Sequence, residues 1–381
     1  MSFHRLSHAL ALSFIAVASA CSSAAGSSGP GDDDGGATPD DTQTADTASP
    51  TDDGGATDTA GDTKTTSDSS PPPPVDGGPG VDSTVPAGPL SLVVLPDDGK
   101  YVVLNAIKAA TKSIHVEVYL MTDTDVSDAL IGAKKAGRDV SVLLEKSPYP
   151  DPTANKPAFD ALTAGGVKVA YTTGLYPLTH SKFMVLDAAT VYVMTLNLTA
   201  SGVRYNREYA AIDTDATDVA EAEQIFAADL AGTAKPKLTG GLVVSPVNAR
   251  TTLTTLIDSA TKTLDLEFEE LSDTNAIGRL EAAVARGVVV RVIVPAGPDS
   301  STAAALPGLK SKGVLVKTLT TPELHAKAIV ADGARLYVGS INLTKASIDY
   351  NREVGIETSN AAAVARAATT LASDFAKGTA F

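Results

Sequence analysis

The sequence predicts an α/β fold made of two copies of one unit. Each copy reads as a mixed β-sheet flanked by helices, and the two are expected to pack about a pseudo-twofold axis. Two observations predict this. The first is a polar pattern, His-x-Lys-x4-Asp-x9-Asn-x8-Asn-Arg-Glu, which occurs twice at a constant separation of 145 residues. One copy runs His180, Lys182, Asp187, Asn197, Asn206, Arg207, Glu208, and the other His325, Lys327, Asp332, Asn342, Asn351, Arg352, Glu353. The second is a similarity upstream of both motifs, where the offset becomes 150. There Leu92 to Pro96 (LVVLP) matches Leu242 to Pro246 (LVVSP), and Thr111 to Asp123 matches Thr261 to Asp273. Two long copies mean a duplicated domain, not a solenoid.

The elements follow in chain order. Residues 1–20 read as an export signal, with Arg5 ahead of a short apolar core and a small-residue cleavage site. Cys21, the only cysteine, stands directly after that site and is the expected lipidation point of a bacterial lipoprotein. Residues 21–88 are an expected tether. From residue 22 on they contain no Phe, Tyr or Trp, and they hold 13 Asp against one Lys. Such a segment buries too little apolar surface to offset chain entropy, and its reach is roughly 45 Å. Residues 89–238 are the first repeat and residues 239–381 the second. Within each, short β-branched runs such as VSVLLE and VVVRVIV read as buried strands. YVVLNAIKAAT and DALIGAKKAG have helical spacing, and the latter stops at Gly137. HSKFMVLD and HAKAIVAD place His and Lys on one face of a strand, and a second strand brings Asn back. The change of offset from 150 to 145 marks an extra Pro-rich loop in the first copy, Lys146 to Phe159, expected to border the cleft.

Charge limits the functional classes. The whole chain carries −15. Removing the tether's −12 and the signal's +1 leaves the duplicated domain at only −4. It has no basic run, and clustered Lys and Arg are what drive sequence-independent nucleic-acid binding, so a nucleic-acid partner is disfavoured. No apolar stretch after the signal is long enough to predict a transmembrane helix. Beyond residue 21 the chain has no cysteine and three histidines, His115, His180 and His325. Disulfides and thiolate chemistry are therefore not expected, and no His or Cys cluster remains for zinc. His115 reads as a hydrogen-bonded histidine near a sheet end. Glu117 and Glu267 recur at the 150 offset in apolar strands. They either line the cleft or cap a strand facing solvent.

Two imidazoles, two ammonium groups and two amides suit a phosphodiester attacked on one side and protonated on the other. These residues resemble the phospholipase D superfamily, whose mark is HxKx4Dx6GSxN found twice per active unit. The second copy fits fully through His325, Lys327, Asp332, Gly339, Ser340 and Asn342. The first has Met194 for Gly and Thr195 for Ser. Thr195 keeps the hydroxyl, while Met194 narrows the pocket or shifts the backbone.

The resemblance implies a phosphohistidine mechanism without cofactor or metal. By it, His180 attacks and His325 protonates, while the more regular motif of the second copy argues for the reverse. Lys182 and Lys327 hold phosphate oxygens, with Asn197, Asn342, Thr195 and Ser340 as donors to substrate. Glu208 and Glu353 orient the imidazoles. Asp187 and Asp332 belong to the motif but read as structural partners at its edge. The expected substrate is a phospholipid, reached from a membrane through lipidated Cys21 in the cell envelope, and the expected state is a monomer. Alternatives are a metal-independent nuclease of the same superfamily and a non-catalytic surface binding protein.

Overall fold

A computed structural model of the protein describes residues 89–99, 101–233 and 238–381. The expected signal and the whole expected tether, Cys21 included, lie outside the described residues.

The first repeat runs β1 (Leu90–Leu95), α1 (Val102–Ala109), β2 (Ser113–Val118), α2 (Thr124–Lys135), β3 (Asp139–Leu144), α3 (Lys156–Ala164), β4 (Lys168–Tyr171), β5 (Lys182–Leu186), β6 (Thr190–Met194), α4 (Ala200–Arg204), β7 (Glu208–Asp213) and α5 (Ala216–Ala231). The second runs β8 (Leu242–Ser245), α6 (Ala249–Ser259), β9 (Thr263–Phe268), α7 (Thr274–Ala285), β10 (Val289–Pro295), α8 (Ser300–Ser311), β11 (Leu315–Leu319), β12 (Lys327–Ala331), β13 (Arg335–Gly339), α9 (Lys345–Asp349), β14 (Glu353–Thr358), α10 (Ala361–Lys377) and the short β15 (Thr379–Ala380). The expected 238/239 boundary falls between α5 and β8.

Each repeat makes one mixed sheet. The orders are β1-β7-β6-β5-β2-β3-β4 and, reversed, β8-β14-β13-β12-β9-β10-β11-β15. They are the same topology, with β15 added at one edge. The β2–β3–β4 and β9–β10–β11 ladders are parallel, and each is joined by crossover helices. The motif strands β5 and β12 join antiparallel on the other side.

The local chemistry explains the boundaries. The Asp123 and Asp273 side chains accept from Val126 N and Ala276 N, capping α2 and α7. Gly137 and Gly287 follow those helices at φ +88° and +91°, a conformation that strains any side chain.

Central strands buried on both faces read as continuous apolar runs. This is why β12 (KAIVA) is buried along its whole length. One apolar core lies between the sheets and draws on both repeats: Phe183, Val193 and Tyr209 meet Ala328, Val338 and Val354. Helices α5 and α10 contribute Phe226 and Leu371 to it. Two outer cores, one per repeat, lie on the opposite sheet faces under α1, α2 and α3 or α6, α7 and α8.

Two pairs of reciprocal contacts tie the repeats together. The backbone at Thr179 bridges Arg352, and that at Arg207 bridges Leu324. The Arg207 guanidinium reaches Asp374 on α10 (Nε to Oδ2, 2.5 Å), and Arg352 reaches Asp229 on α5 (Nε to Oδ2, 2.7 Å). Both arginines are fully buried and also donate to carbonyls of their own repeat, Leu95 O and Ser245 O. Equivalent residues making equivalent contacts in both directions is what a pseudo-twofold axis produces. Among the described residues, no helix is long and apolar enough to cross a membrane.

Candidate active site

The backbone bridges set the site. His180 N donates to Arg352 O (2.8 Å) and Arg352 N to Leu178 O (2.9 Å). The mirror contacts are Arg207 N to Glu323 O (2.8 Å) and His325 N to Arg207 O (3.3 Å). Each histidine-bearing segment thus runs beside the Asn-Arg-Glu segment of the other repeat, and the glutamates pair crosswise. His180 Nδ1 lies 3.0 Å from both carboxylate oxygens of Glu353. His325 Nδ1 lies 2.7 Å from Glu208 Oε1. With Nδ1 held, each ring keeps Nε2 for chemistry. The imidazoles are 15% and 17% exposed, enough for a reacting atom to reach one edge.

The lysines start β5 and β12 and are wholly buried. Lys182 Nζ donates to His180 O (2.8 Å) and lies 3.0 Å from His180 Nε2. Lys327 Nζ donates to His325 O (2.7 Å) and to Glu269 Oε2 (2.6 Å).

Burial, then the charges of Lys182 and Lys327, hold protonation of His180 well below the usual imidazole range. Burial also brings the Lys182 ammonium down to about 7, and pushes the Glu353 carboxyl up to about 8. The neutral imidazole of His180 is therefore the favoured form near neutral pH.

Three expected roles change on inspection. The Thr195 hydroxyl does not face the cleft: it is buried and donates to Glu208 Oε2 (2.5 Å), while Tyr209 N donates to it. The Ser340 hydroxyl is also buried, accepts from Val354 N (3.1 Å) and bears on Glu353. These hydroxyls fix the glutamates that fix the histidines, so direct contact with substrate oxygens gives way to support.

Asp187 and Asp332 stand at the far ends of β5 and β12. Asp187 accepts from the backbone of Thr111, Lys112 and Ser113 and from the Thr111 hydroxyl. Asp332 does the same with Thr261, Lys262 and Thr263. Burial, the largest single influence, opposes ionisation, but together these bonds outweigh it and hold the Asp187 carboxyl down at about 2 and that of Asp332 lower still. They lock a turn and take no part in the site chemistry.

The third change concerns Met194. Its side chain lies in the outer core with Leu196, Val203 and Ala210, away from the cleft, so it does not narrow the pocket. Gly339 serves tight strand packing, since a Cβ there would stand 2.2 Å from Gly355 Cα.

Asn197 and Asn342 differ. Asn342 accepts from Glu270 N (3.3 Å), whereas the buried Asn197 Oδ1 has no hydrogen-bond partner. Glu117 and Glu267 neither line the cleft nor face solvent. Both are fully buried between the sheets, where Glu117 accepts from Ser181 Oγ and Glu267 from Tyr209 Oη (2.6 Å). Burial pushes both carboxyls up, Glu267 to about 8. His115 pairs with Glu223 (2.6 Å) and stacks on Phe226, outside the site.

Sequence reasoning missed Glu269, Ser347 and Tyr119. Ser347 donates to Glu353 Oε1 (2.8 Å). Tyr119 packs edge-on against His180, with centroids 4.5 Å apart, and its hydroxyl accepts from Tyr149 N in the Pro-rich loop. That loop thereby abuts the site. Glu269 was legible only as an alignment difference, since residue 269 is 150 beyond Tyr119.

A cavity of about 160 Å³ opens beside His325, walled by Asn206, Glu269, Glu270, Asp299 and Glu323. A larger hollow, about 520 Å³, between α1 and α2 holds no motif residue. Among the described residues no group of His, Cys, Asp and Glu is arranged to hold a metal ion.

A family model described as "Cardiolipin synthase, PLD-like domain" matches residues 103–230 and 253–376. The chain belongs to this family of phospholipase D-like domains, and both of its halves carry the match. Proteins of the superfamily process phosphodiesters. A polyphosphate kinase from Yersinia pestis is 25% identical over 264 residues, 64% of this chain and 38% of that protein. The polyphosphate kinase of Escherichia coli strain K12 is 22% identical over 264 residues, 37% of its length. The chain therefore spans less than two fifths of these curated relatives. Among solved structures, phosphatidylserine synthase from Haemophilus influenzae Rd KW20 superposes with a TM-score of 0.60 at 13% identity, covering 77% of this chain and 88% of that one. Polyphosphate kinase from Porphyromonas gingivalis gives 0.60 at 17% identity, covering 74% and 46%. These likenesses show the fold.

Proposed function

We propose that the protein is a phosphodiesterase of phospholipase D type that hydrolyses or transfers the headgroup of a phospholipid. The reading rests on one observation above all: two histidines in one cleft, each held at Nδ1 by a glutamate of the other repeat. Neutral His180 attacks phosphorus through Nε2, and the phosphoryl group becomes bonded to that nitrogen. The bond to the leaving alcohol breaks, and its oxygen takes a proton from His325. Neutral His325 then accepts a proton from water, or from an acceptor alcohol, as that oxygen displaces His180. Lys182, Lys327 and the amides of Asn197 and Asn342 neutralise the phosphoryl oxygens, where preorganised donors contribute most.

A weakly acidic domain without a basic run favours a lipid over nucleic acid, and the proposed anchor at Cys21 would hold the domain near a membrane. The polyphosphate kinase likeness supports a second reading, phosphoryl transfer from polyphosphate through the same histidine.

The test is an assay of the mature protein in EDTA against phosphatidylcholine, phosphatidylethanolamine, cardiolipin, single-stranded DNA and polyphosphate with ADP. Release of headgroup is expected, undiminished by EDTA. Turnover of DNA or polyphosphate alone would replace the lipid reading, and full dependence on a divalent ion would sink the direct histidine mechanism.

A further inference from the structure

We propose that Glu269 makes the two half-sites unequal and commits His325 to the acid role, leaving His180 as the nucleophile. This rests on the phosphohistidine reading above and adds to it a residue outside the repeated motif.

The inference starts from equivalent positions. Residues 119 and 269 follow β2 and β9 at the same point of each repeat, yet one is Tyr and the other Glu. Tyr119 presents a ring edge to His180 and spends its hydroxyl on the backbone of Tyr149. It brings no charge. Glu269 brings a carboxylate whose Oε2 lies 2.6 Å from Lys327 Nζ and 3.4 Å from His325 Nε2.

The two reactive nitrogens therefore meet different neighbours. His180 Nε2 faces the Lys182 ammonium at 3.0 Å, which favours an imidazole with a free lone pair. His325 Nε2 lies 3.4 Å from Glu269 Oε2 and equally far from Lys327 Nζ, which Glu269 itself engages, and its Nδ1 faces a second carboxylate, Glu208. The second half-site thus adds to its lysine a carboxylate that the first lacks, an acceptor for a proton carried on Nε2.

The charged groups around this point come from several segments: Glu208 at the start of β7, Glu269 and Glu270 after β9, Asp299 before α8, Glu323 before β12, Lys327 at its start, and His180 with Lys182 across the cleft. Although burial opposes it, the charges of His325 and Lys327 hold the Glu269 carboxyl far below the usual range, so it stays ionised. The Glu269 side chain is 31% exposed beside the cavity next to His325, where the leaving alcohol must emerge if His325 protonates it.

The proton and electron balance follows. The proton on His325 Nε2 passes to the departing oxygen as the P–O bond breaks. Glu269 then faces a neutral imidazole, which takes the proton from water in the second step and is restored. Glu269 gains and loses nothing. It is a positioning residue that acts through His325.

Leaving-group dependence tests this in the full chain. Glu269→Gln keeps size and removes charge. With bis(p-nitrophenyl) phosphate the leaving group departs without a proton, so kcat/KM should stay within about threefold of wild type. With alkyl diesters, a short-chain phosphatidylethanolamine and a dinucleotide, it should fall about 10- to 100-fold, and the basic limb of the pH profile should move to lower pH. Glu269→Asp should restore part of the loss on alkyl esters only.

Equal loss on both ester classes would mean a merely structural role and overturn the proposal. A gain on both would mean that Glu269 competes with phosphate for Lys327, and would also overturn it. Wild-type cleavage of the dinucleotide but not the lipid, with the Glu269 pattern kept, would refute the lipid reading alone. A wild type that cleaves no ester would refute both.

Discussion

The first half-site and the second carry the same seven polar residues at equivalent positions, yet their neighbours differ. Tyr119 stands opposite Glu269, Leu120 opposite Glu270, Met194 opposite Gly339 and Gly202 opposite Ser347. The first two pairs lie beside the histidines and change charge. The Met194 and Gly339 pair lies in strand packing and changes only how each outer core is filled. Duplication supplies two equal imidazoles, but a two-step displacement needs unequal ones. The difference is made by residues flanking the motif, not within it.

The largest expected effect comes from removing either histidine. His180→Ala and His325→Ala should each cost about 10⁴-fold or more on alkyl diesters, with the double variant little worse, because the pair acts as a unit. On a p-nitrophenyl diester the two should part: His180→Ala stays inactive, while His325→Ala still releases one equivalent of nitrophenol in a burst. A burst from His180→Ala instead would reverse the roles of the half-sites.

The crosswise glutamates give the next effect, on the order of 10²–10³-fold. Glu208→Gln, a change in the first repeat, should impair the second repeat's His325. It should therefore hurt alkyl esters more than nitrophenyl esters, whereas Glu353→Gln should hurt both. The reverse pattern in steady-state kinetics would mean that each glutamate serves its own repeat.

Stability should depend on the reciprocal ion pairs. Arg207→Ala leaves the buried Asp374 with only Lys377 beside it, and Arg352→Ala leaves Asp229 buried without its arginine. Each should cost about 3–5 kcal/mol in denaturant unfolding. Similar losses at both would support equal inter-repeat locks, and a loss at one alone would show that the repeats are held asymmetrically.

The smallest effect is the pH dependence at Glu267, whose carboxyl burial raises to about 8. A raised carboxyl stabilises the fold at low pH, and that stability is lost as pH climbs from the unfolded value near 4.5 toward 8. Glu267→Gln removes the loss. Its melting temperature should gain on wild type by roughly 3–6 °C between pH 5 and pH 8.5. No pH-dependent gain would mean that the carboxyl ionises freely in the folded protein.

Much of this was legible in the sequence, because duplication prints itself as fixed offsets. The two sheets, the motif strands and the lengthened loop before α3 follow from strings such as LVVLP and LVVSP. The histidines, lysines, amides and glutamates follow from spacing. What spacing does not carry is which side of a contact a residue serves. Glu208 and Glu353 lie close in sequence to their own histidines, and the crosswise pairing arises from the bridges at Thr179 and Leu324, which depend on how the repeats meet. Thr195 and Ser340 are hydroxyls beside the site in sequence, but the pleat turns them toward the glutamates. Glu117 and Glu267 read as misplaced polar residues in apolar strands because a strand does not reveal that another sheet covers its face. Glu269 sits outside the repeated pattern, so only the comparison of the two copies exposes it.

Trapping of the phosphoenzyme in an alkaline denaturing quench tests the central claim most directly. The His325→Ala variant, mixed with a phosphorus-labelled nitrophenyl diester, should accumulate label that is stable to base and lost in acid. It should map by neutralised peptide analysis to the segment containing His180, at close to one equivalent per chain. Label on a peptide from the second repeat, or full turnover without any labelled protein, would contradict the division of labour between the two half-sites.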